Sequence, residues 1–474
     1  MSERLTDTVN VLVPVGALGT GVRARDVEAG IAAGAHAIAC DAGSTDSGPA
    51  YLATGRSKYS RDAIKHDLRI LMRAQASSGL PLLIGSCGTS GADLALDWTY
   101  DIAREIAAEE GLSPRIARLY SQQDPQDLER AAAEGRIRAL APMTGAEPGV
   151  FAGCERIVAL MGPEPYIEAL NAGADIVLGG RTTDTAVIAA VPLMRGAGAG
   201  PAWHAGKIAE CGGQSTVNPR DGGVLIRVGA QAFEIEPLSA KNACSPETVS
   251  AHMLYENSDP FRLAEPGGTL DVTDSVYADV DGRVVRVTGS RFEAAPYSMK
   301  LEGAAGGGFQ TLMLVGMQDP DVLAEADRFV AHMQTTLEAR VRQAMPEYAG
   351  DKAGDFSISL RAYGWNAVSG AVIGPPEPPP REIGLLFVAT AATQDLATRI
   401  AKTCNPFFFH LPLDAGIELP SYAFPFSPAE IERGQVFHFR LNHVVLTDDP
   451  LARVRMVLDA PQAAAAAGPE TTDA

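Results

Sequence analysis

Short apolar runs alternate along the chain with longer stretches in which apolar residues recur every three to four positions. The first part is the most regular. Asn10–Val15, His36–Cys40, Pro81–Ile84 and Asp175–Leu178 read as strands, and Arg25–Ala33, Arg61–Ser77, Asp93–Glu110 and Glu164–Ala172 as helices, with the series also passing through Arg115–Tyr120, Asp127–Ala133, Ile137–Ala141 and Arg156–Leu160. The apolar runs are continuous Val, Ile, Leu and Ala, without in–out alternation. That predicts strands buried on both faces, as in a parallel sheet covered by helices. Residues 1–212 are therefore expected to form an α/β domain, a mostly parallel, Rossmann-like three-layer sheet with flanking helices.

After about Gly213 the pattern changes. Gly223–Val228, Gly268–Val280, Val284–Val287 and Gln310–Gly316 read as strands, with Asp281-Gly282 as a hairpin signal between two apolar runs. Asp319–Met345 reads as one long helix and Phe356–Tyr363 as a strand, so residues 213–374 are expected to be a β-rich α+β part completing the core. Pro375-Pro376-Glu377-Pro378-Pro379-Pro380 is a stiff spacer within a linker over 375–382. Beyond it, Ile383–Thr390, a helix Gln394–Thr403, Phe407–Pro412 and Val436–Leu446 predict a small α+β domain over 383–460, followed by an Ala-rich tail over 461–474.

Composition narrows the function classes. The 474 residues suggest two or three domains at roughly 150 residues each. With 39 Lys plus Arg against 58 Asp plus Glu, the net charge is −19, which argues against nucleic-acid or membrane-surface binding. A small anionic substrate stays open, because a local cation in a cleft outweighs a screened distant surface. The six cysteines include no Cys-x-x-Cys, which disfavours a zinc ribbon or thiol–disulfide pair. No signal-like start or bilayer-length apolar run is present, so a cytoplasmic protein is expected, with a homodimer or higher homo-oligomer as the base expectation.

In a parallel sheet, ligands bind outside the carboxyl ends of the strands. The first run ends in Gly16-Ala17-Leu18-Gly19-Thr20-Gly21, where free amides at Gly19 and Gly21 would suit a carboxylate or phosphate; a plain tight turn accounts for it equally well. The next two loops carry Ser44, Thr45 and Asp46, then Ser86, Thr89 and Ser90. Each alone reads as helix capping, and their coincidence at successive strand ends points to a polar ligand or a hard cation. Ala33-Gly34-Ala35 leads through a strand to Ser44-Thr45-Asp46, and Ala172-Gly173-Ala174 leads likewise to Arg181-Thr182-Thr183-Asp184, two similar strand–turn units that would face one cleft or else share common loop grammar. Arg181 would bind a carboxylate or phosphate in bidentate fashion; a surface ion pair is the alternative. Asp46 and Asp184 are candidate Mg²⁺ ligands. In the segment 241–256, Lys241 and Asn242 precede a helix that Ser245 would cap, and His252 and Glu256 fall at i and i+4 with Tyr255 adjacent. These residues would supply acid–base chemistry, against the plainer readings of a solvated lysine and a structural histidine. No serine-hydrolase elbow, His-Glu-x-x-His or Walker motif occurs.

In these strand-end segments the chain resembles the acyclic terpene utilisation AtuA family. The resemblance rests on Gly16–Gly21, on Ile38–Pro49 with Cys40-Asp41-Ala42-Gly43-Ser44-Thr45-Asp46, and on Gly173–Asp184 with Gly179-Gly180-Arg181. Ala251–Glu256 before Asp259-Pro260 and the following Gly267-Gly268 add to it, over roughly residues 8 to 375. Ile383–Pro412 with Cys404-Asn405-Pro406, and Asn442-His443 with Asp448-Asp449-Pro450, are similar to the small domain fused to this family. The resemblance implies a link to catabolism of branched acids as CoA thioesters, and assigns no residue a role.

The leading expectation is an enzyme on a small carboxylic acid or acyl-CoA thioester, a hydro-lyase (hydratase/dehydratase) or isomerase. Arg181 and the loop amides would hold the anion, and Asp46, Lys241, His252 or Tyr255 would move the proton. CoA would enter as part of the substrate, and Mg²⁺ is the one cofactor suggested. The rival is a non-catalytic acyl-CoA-binding subunit of a carboxylase-type complex. A nucleotide-dependent ligase is weakened by the absence of a phosphate-gripping lysine.

Overall fold

The computed structural model describes residues 4–147, 149–255, 259–348, 356–371, 380–414 and 418–459. Contacts divide them into two compact units, one within Met1–Ala305 and Phe439–Ala474, the other within Gly306–His438.

In the first unit, strands Val9–Val13, Ala37–Asp41, Leu82–Gly85, Ile176–Gly179 and Ile116–Tyr120 pair in parallel in that order. Alternate residues supply two cores. Leu12, Ile38, Ile84 and Leu178 pack with Leu68 and Leu71 of helix Arg61–Ser78 and with Ile102 and Ile106 of helix Asp93–Glu110. Val11, Val13, Ala39 and Val177 pack on the other face against Ala186 to Val191 of helix Asp184–Met194 and against Trp203 and Ile208 of helix Ala199–Ala209. Burial on both faces is what the uninterrupted apolar runs require.

The sheet as a whole is mixed, which corrects the expectation of a mostly parallel one. Val224–Val228, Ala232–Pro237, Val285–Thr288 and Val276–Asp279 extend it antiparallel beyond Val9–Val13, and Arg455–Leu458 pairs antiparallel with Ile116–Tyr120 at the far edge. The cause is local. Gly229 donates its amide to the Ala232 carbonyl, and a connection this short joins only antiparallel neighbours. Residues 213–305 thus continue the first unit, and the chain leaves it only at 306.

Other elements differ in their bounds. Gly268–Val280 is not one strand but two, Gly268–Asp271 in a three-stranded sheet and Val276–Asp279 in the ten-stranded one. Asp319–Met345 divides into Pro320–Ala324 and Ala326–Ala344 at Glu325, whose backbone leaves the helical region at φ −129° and ψ 35°. Val436–Leu446 holds the end of Ile431–Phe439 and all of His443–Leu446.

The second unit has its own core. Phe356–Tyr363 and the Phe309–Met317 part of strand Ser298–Met317 both pair antiparallel with Ile383–Ala391. Helices Ala326–Ala344 and Gln394–Cys404 contribute Phe329, Met333, Leu337 and Ile400 to a core with Leu385 and Phe387. The Pro-rich run over 375–379 and the tail over 461–474 lie outside the described residues.

Candidate functional site

A cavity of about 660 Å³ lies in the first unit, lined by the residues that follow its parallel strands. Gly16, Ala17, Thr20 and Gly21 come from the first strand end, Asp41, Gly43, Ser44 and Asp46 from the second, and Asp184 from the start of helix Asp184–Met194. Lys58, Arg23, Arg220, Cys211 and Tyr255 add to its polar wall.

The glycine turn is not the open anion cradle that its sequence suggests. Asp67, buried on helix Arg61–Ser78, accepts the Gly19 and Gly21 amides on Oδ2 at 2.8 and 3.0 Å and the Val22 amide on Oδ1 at 2.8 Å. The chain's own carboxylate fills the nest, so these amides are not available to a substrate. Gly16 serves closeness of another kind: a Cβ there would lie 2.7 Å from the Cys211 carbonyl carbon. Glycine is what lets the Cys211 segment lie against the turn.

The second strand end does face the cavity. Asp41 is buried, with one carboxyl oxygen taking the Gly43 amide at 2.7 Å and the other, against Gly85, without a hydrogen-bond partner among the described residues. Burial, reinforced by the nearby Asp184 charge, pushes its pKa well above the usual carboxylate range, and Arg181 and the Gly43 amide oppose this only in part. Asp46 is exposed and accepts from the Ser44 hydroxyl at 2.7 Å. Thr45 turns away from the cavity and donates to Glu302 at 2.8 Å.

Arg181, expected to hold the substrate carboxylate, is spent inside the protein. It is only 5% exposed, and its guanidinium bonds Glu302 at 3.0 Å, Ser86 at 3.1 Å and the Thr182 carbonyl at 3.2 Å, with Asp184 at 3.5 Å. It is not in the cavity lining. Ser86 is thereby committed to Arg181, and Thr182 shares a 2.8 Å hydrogen bond with Tyr166. Thr183 caps the helix at Asp184. Thr89 accepts the Lys58 amide at 2.9 Å, and Ser90 is buried beside the Tyr51 carbonyl. These hydroxyls build the scaffold of the strand-end loops.

The proton-transfer candidates separate. Lys241 is exposed and outside the cavity lining, and Asn242 is a structural bracket that bonds Thr216, Asn218 and Asp221. His252 and Tyr255 stay together, their rings stacked at 5.6 Å, and Tyr255 lines the cavity. Glu256 lies outside the described residues.

Around His252 the structure assembles residues that the sequence reading passed over. Lys207 Nζ lies 2.5 Å from Glu210 Oε1, His252 Nε2 lies 4.0 Å from the same oxygen, and Thr185 donates to Glu210 Oε2 at 3.3 Å. Burial pushes Glu210 up, with Lys207 opposing, and pushes Glu265 nearby up to about 7, with the Thr183 and Thr185 hydroxyls opposing. Burial and the Lys207 charge push His252 down to about 4, so its ring is neutral at physiological pH. Glu210 and Lys207 went unread because helix Ala199–Ala209 is buried along nearly its whole length and carries no polar stripe to give it a period. The i,i+3 spacing of Lys207 and Glu210 was the one signal that pairs them.

As for metals, Asp46 and Asp184 both line the cavity. Among the described residues, neither belongs to a group of three His, Cys, Asp or Glu donors within 4.8 Å of one another; Glu210, Cys211 and His252 form such a group. Among the described residues, no helix is long and apolar enough to cross a membrane.

No curated protein and no solved structure matches the chain. The family model described as acyclic terpene utilisation family protein AtuA matches residues 53–427. That span includes Asp184 and the Lys207–His252 group and starts after the first two strand ends. The chain belongs to the acyclic terpene utilisation AtuA family.

Proposed function

We propose that the protein is an enzyme that adds or removes water, or shifts a double bond, next to the carboxylate or thioester of a small organic acid, free or as its CoA ester. The observation that carries this reading is the pair of carboxyl groups Asp41 and Asp184 in one cavity, with the Asp41 pKa raised by burial and by the Asp184 charge. Two carboxyl groups in one cavity, one of them with its proton held more tightly by burial, can serve as an acid–base pair. In the dehydration direction Asp184 takes the proton from the carbon beside the carbonyl. Asp41 gives its proton to the departing hydroxyl, which leaves as water. Lys58 and Arg220 on the cavity wall take the substrate's negative charge, in place of Arg181. The Lys58 ammonium donates to the Ser47 hydroxyl at 3.1 Å and lies 5.9 Å from the centre of the Tyr59 ring, and as a compact point charge it suits a carboxylate.

The test is incubation of the purified protein with 2- and 3-hydroxy acids, their unsaturated counterparts and the CoA esters of both. Turnover is read by the absorbance of the conjugated product and by deuterium uptake at the α-carbon in heavy water. Conversion or exchange with one member, lost in Asp184→Asn, supports the reading. Tight CoA-ester binding with neither conversion nor exchange overturns it in favour of a non-catalytic acyl-CoA-binding subunit.

A further inference from the structure

We propose that Glu210, Cys211 and His252 form a binding site for one borderline-soft divalent cation, Zn²⁺ above all, with its remaining coordination position open to the cavity. The three donors come from two separate parts of the chain. Glu210 and Cys211 follow the end of helix Ala199–Ala209, and His252 follows helix Pro246–Ala251. Their donor atoms all lie within 4.8 Å of one another. Bonds of about 2.0 to 2.3 Å from zinc to N, O and S place tetrahedral ligand atoms about 3.5 Å apart, so side-chain rotations of about an ångström close the site.

A second observation points to a ligand at the same place. His252 is 5% exposed, and its Nε2, the atom that faces Glu210, has no hydrogen-bond partner among the described residues. A buried ring nitrogen without a partner is costly in a folded protein, and a metal ion satisfies it. The donor set is also selective. A thiol, an imidazole and a carboxylate suit zinc and its neighbours and do not suit Mg²⁺ or Ca²⁺, which take oxygen.

Two features set the character of the site. Three protein ligands with one open position is the arrangement of catalytic zinc, whereas structural zinc is closed by four. The open side is the cavity side, since Cys211 and Tyr255 both line the cavity. Lys207 is the local competitor, with its ammonium on Glu210 Oε1. A carboxylate has two oxygens and about four acceptor directions, so Lys207 and a cation can share it. On binding, Cys211 enters as the thiolate and its proton goes to solvent.

This inference stands apart from the acid–base reading, because metal uptake is measured without turnover. Chelator-stripped protein is loaded with Zn²⁺, dialysed and analysed for metal, and a second sample is titrated with Co²⁺ and followed by absorption. The expected result is one equivalent of Zn²⁺ per chain, together with a thiolate-to-cobalt charge-transfer band and the strong ligand-field bands of a four-coordinate site. Cys211→Ser removes the charge-transfer band, and His252→Gln weakens Zn²⁺ retention at least about tenfold. Metal retention no greater in the wild type than in both variants overturns the proposal, as does wild-type cobalt protein without a thiolate band. The second reading needs no variant to fold.

Discussion

Asp67 Oδ2 accepts the Gly21 amide at 3.0 Å, from a helix more than forty residues further along the chain. The carboxylate ties the turn after the first strand to helix Arg61–Ser78 and occupies the place an external anion would take. Asp67→Asn replaces one acceptor oxygen by a donor that faces backbone N–H groups, inside a site only 1% exposed. The expected loss is about 2 to 3 kcal/mol of unfolding free energy, as for buried hydrogen bonds to a charged group. Urea unfolding checks it, and a change below about 0.5 kcal/mol would place the variant among ordinary surface substitutions.

The Arg181–Glu302 pair joins a strand-end loop to strand Ser298–Met317, and Thr45 adds a second bond to the same carboxylate oxygen. Burial alone would raise the Glu302 pKa, but Arg181, Lys300 and Thr45 together outweigh it, and the pKa is lowered from its ordinary value. Its contribution is therefore present above the unfolded glutamate pKa and is lost as pH falls toward the folded value. Glu302→Gln removes the closer carboxylate from the buried Arg181 charge and leaves it only Asp184 at 3.5 Å, so the expected cost is up to about 3 to 5 kcal/mol. Thermal unfolding of the variant reads this directly. If Arg181 were an anion anchor with charge to spare, the variant would bind substrate anions more tightly at little cost in stability.

The parallel strands and their amphipathic helices were legible because each carries its own signal, a continuous apolar run or a 3.6-residue stripe. Helices Asp184–Met194 and Ala199–Ala209 were not, because both are buried nearly all round and their sequences have no polar face. At the site, Asp46, Asp184 and Tyr255 were named from sequence and do line the cavity. Arg181 was named for the right chemistry, but which acid a guanidinium meets depends on Glu302, 121 residues away. The same holds for the glycine turn, whose amides are taken by a side chain that no local pattern connects to it. Glu210, Cys211 and His252 converge only through packing, and adjacent Glu-Cys is no recognised ligand spacing.

His204 gives a pH dependence of stability with a definite sign. Its Nδ1 and Nε2 are bonded to Ser290 at 2.8 Å and Tyr277 at 3.1 Å, and it is fully buried. Burial pushes its pKa down to about 3, against about 6.5 for the unfolded chain. Between those values the unfolded chain takes up a proton that the folded protein refuses. Stability therefore falls as pH drops through that window, by up to about 1.4 kcal/mol per pH unit from this group. His204→Gln is expected to be less stable near neutrality and to lose less stability than the wild type between about pH 7 and pH 5. Urea midpoints at several pH values separate the slopes, and parallel slopes would exclude His204 as a source of acid sensitivity.

Asp41 has the opposite sign, and its variant separates chemistry from folding. Its folded pKa lies well above the unfolded aspartate value because burial, and next the Asp184 charge, disfavour the anion. Its stabilising effect is complete below the unfolded pKa and declines as pH rises toward the folded one. Asp41→Asn keeps the shape of the protonated acid and has no proton to lose. The stability difference between variant and wild type is thus expected to shift in the variant's favour as pH rises above the unfolded aspartate value of about 3.9. As general acid, Asp41 supplies a proton that asparagine cannot, so turnover of any substrate found is expected to fall about 10² to 10⁴-fold, with substrate binding retained. In the wild type the same group gives a rate that declines as pH rises through its raised pKa. A variant that keeps near-normal turnover, or a rate that climbs with pH over that range, would remove Asp41 from the reaction and leave the cavity's proton donor to another group.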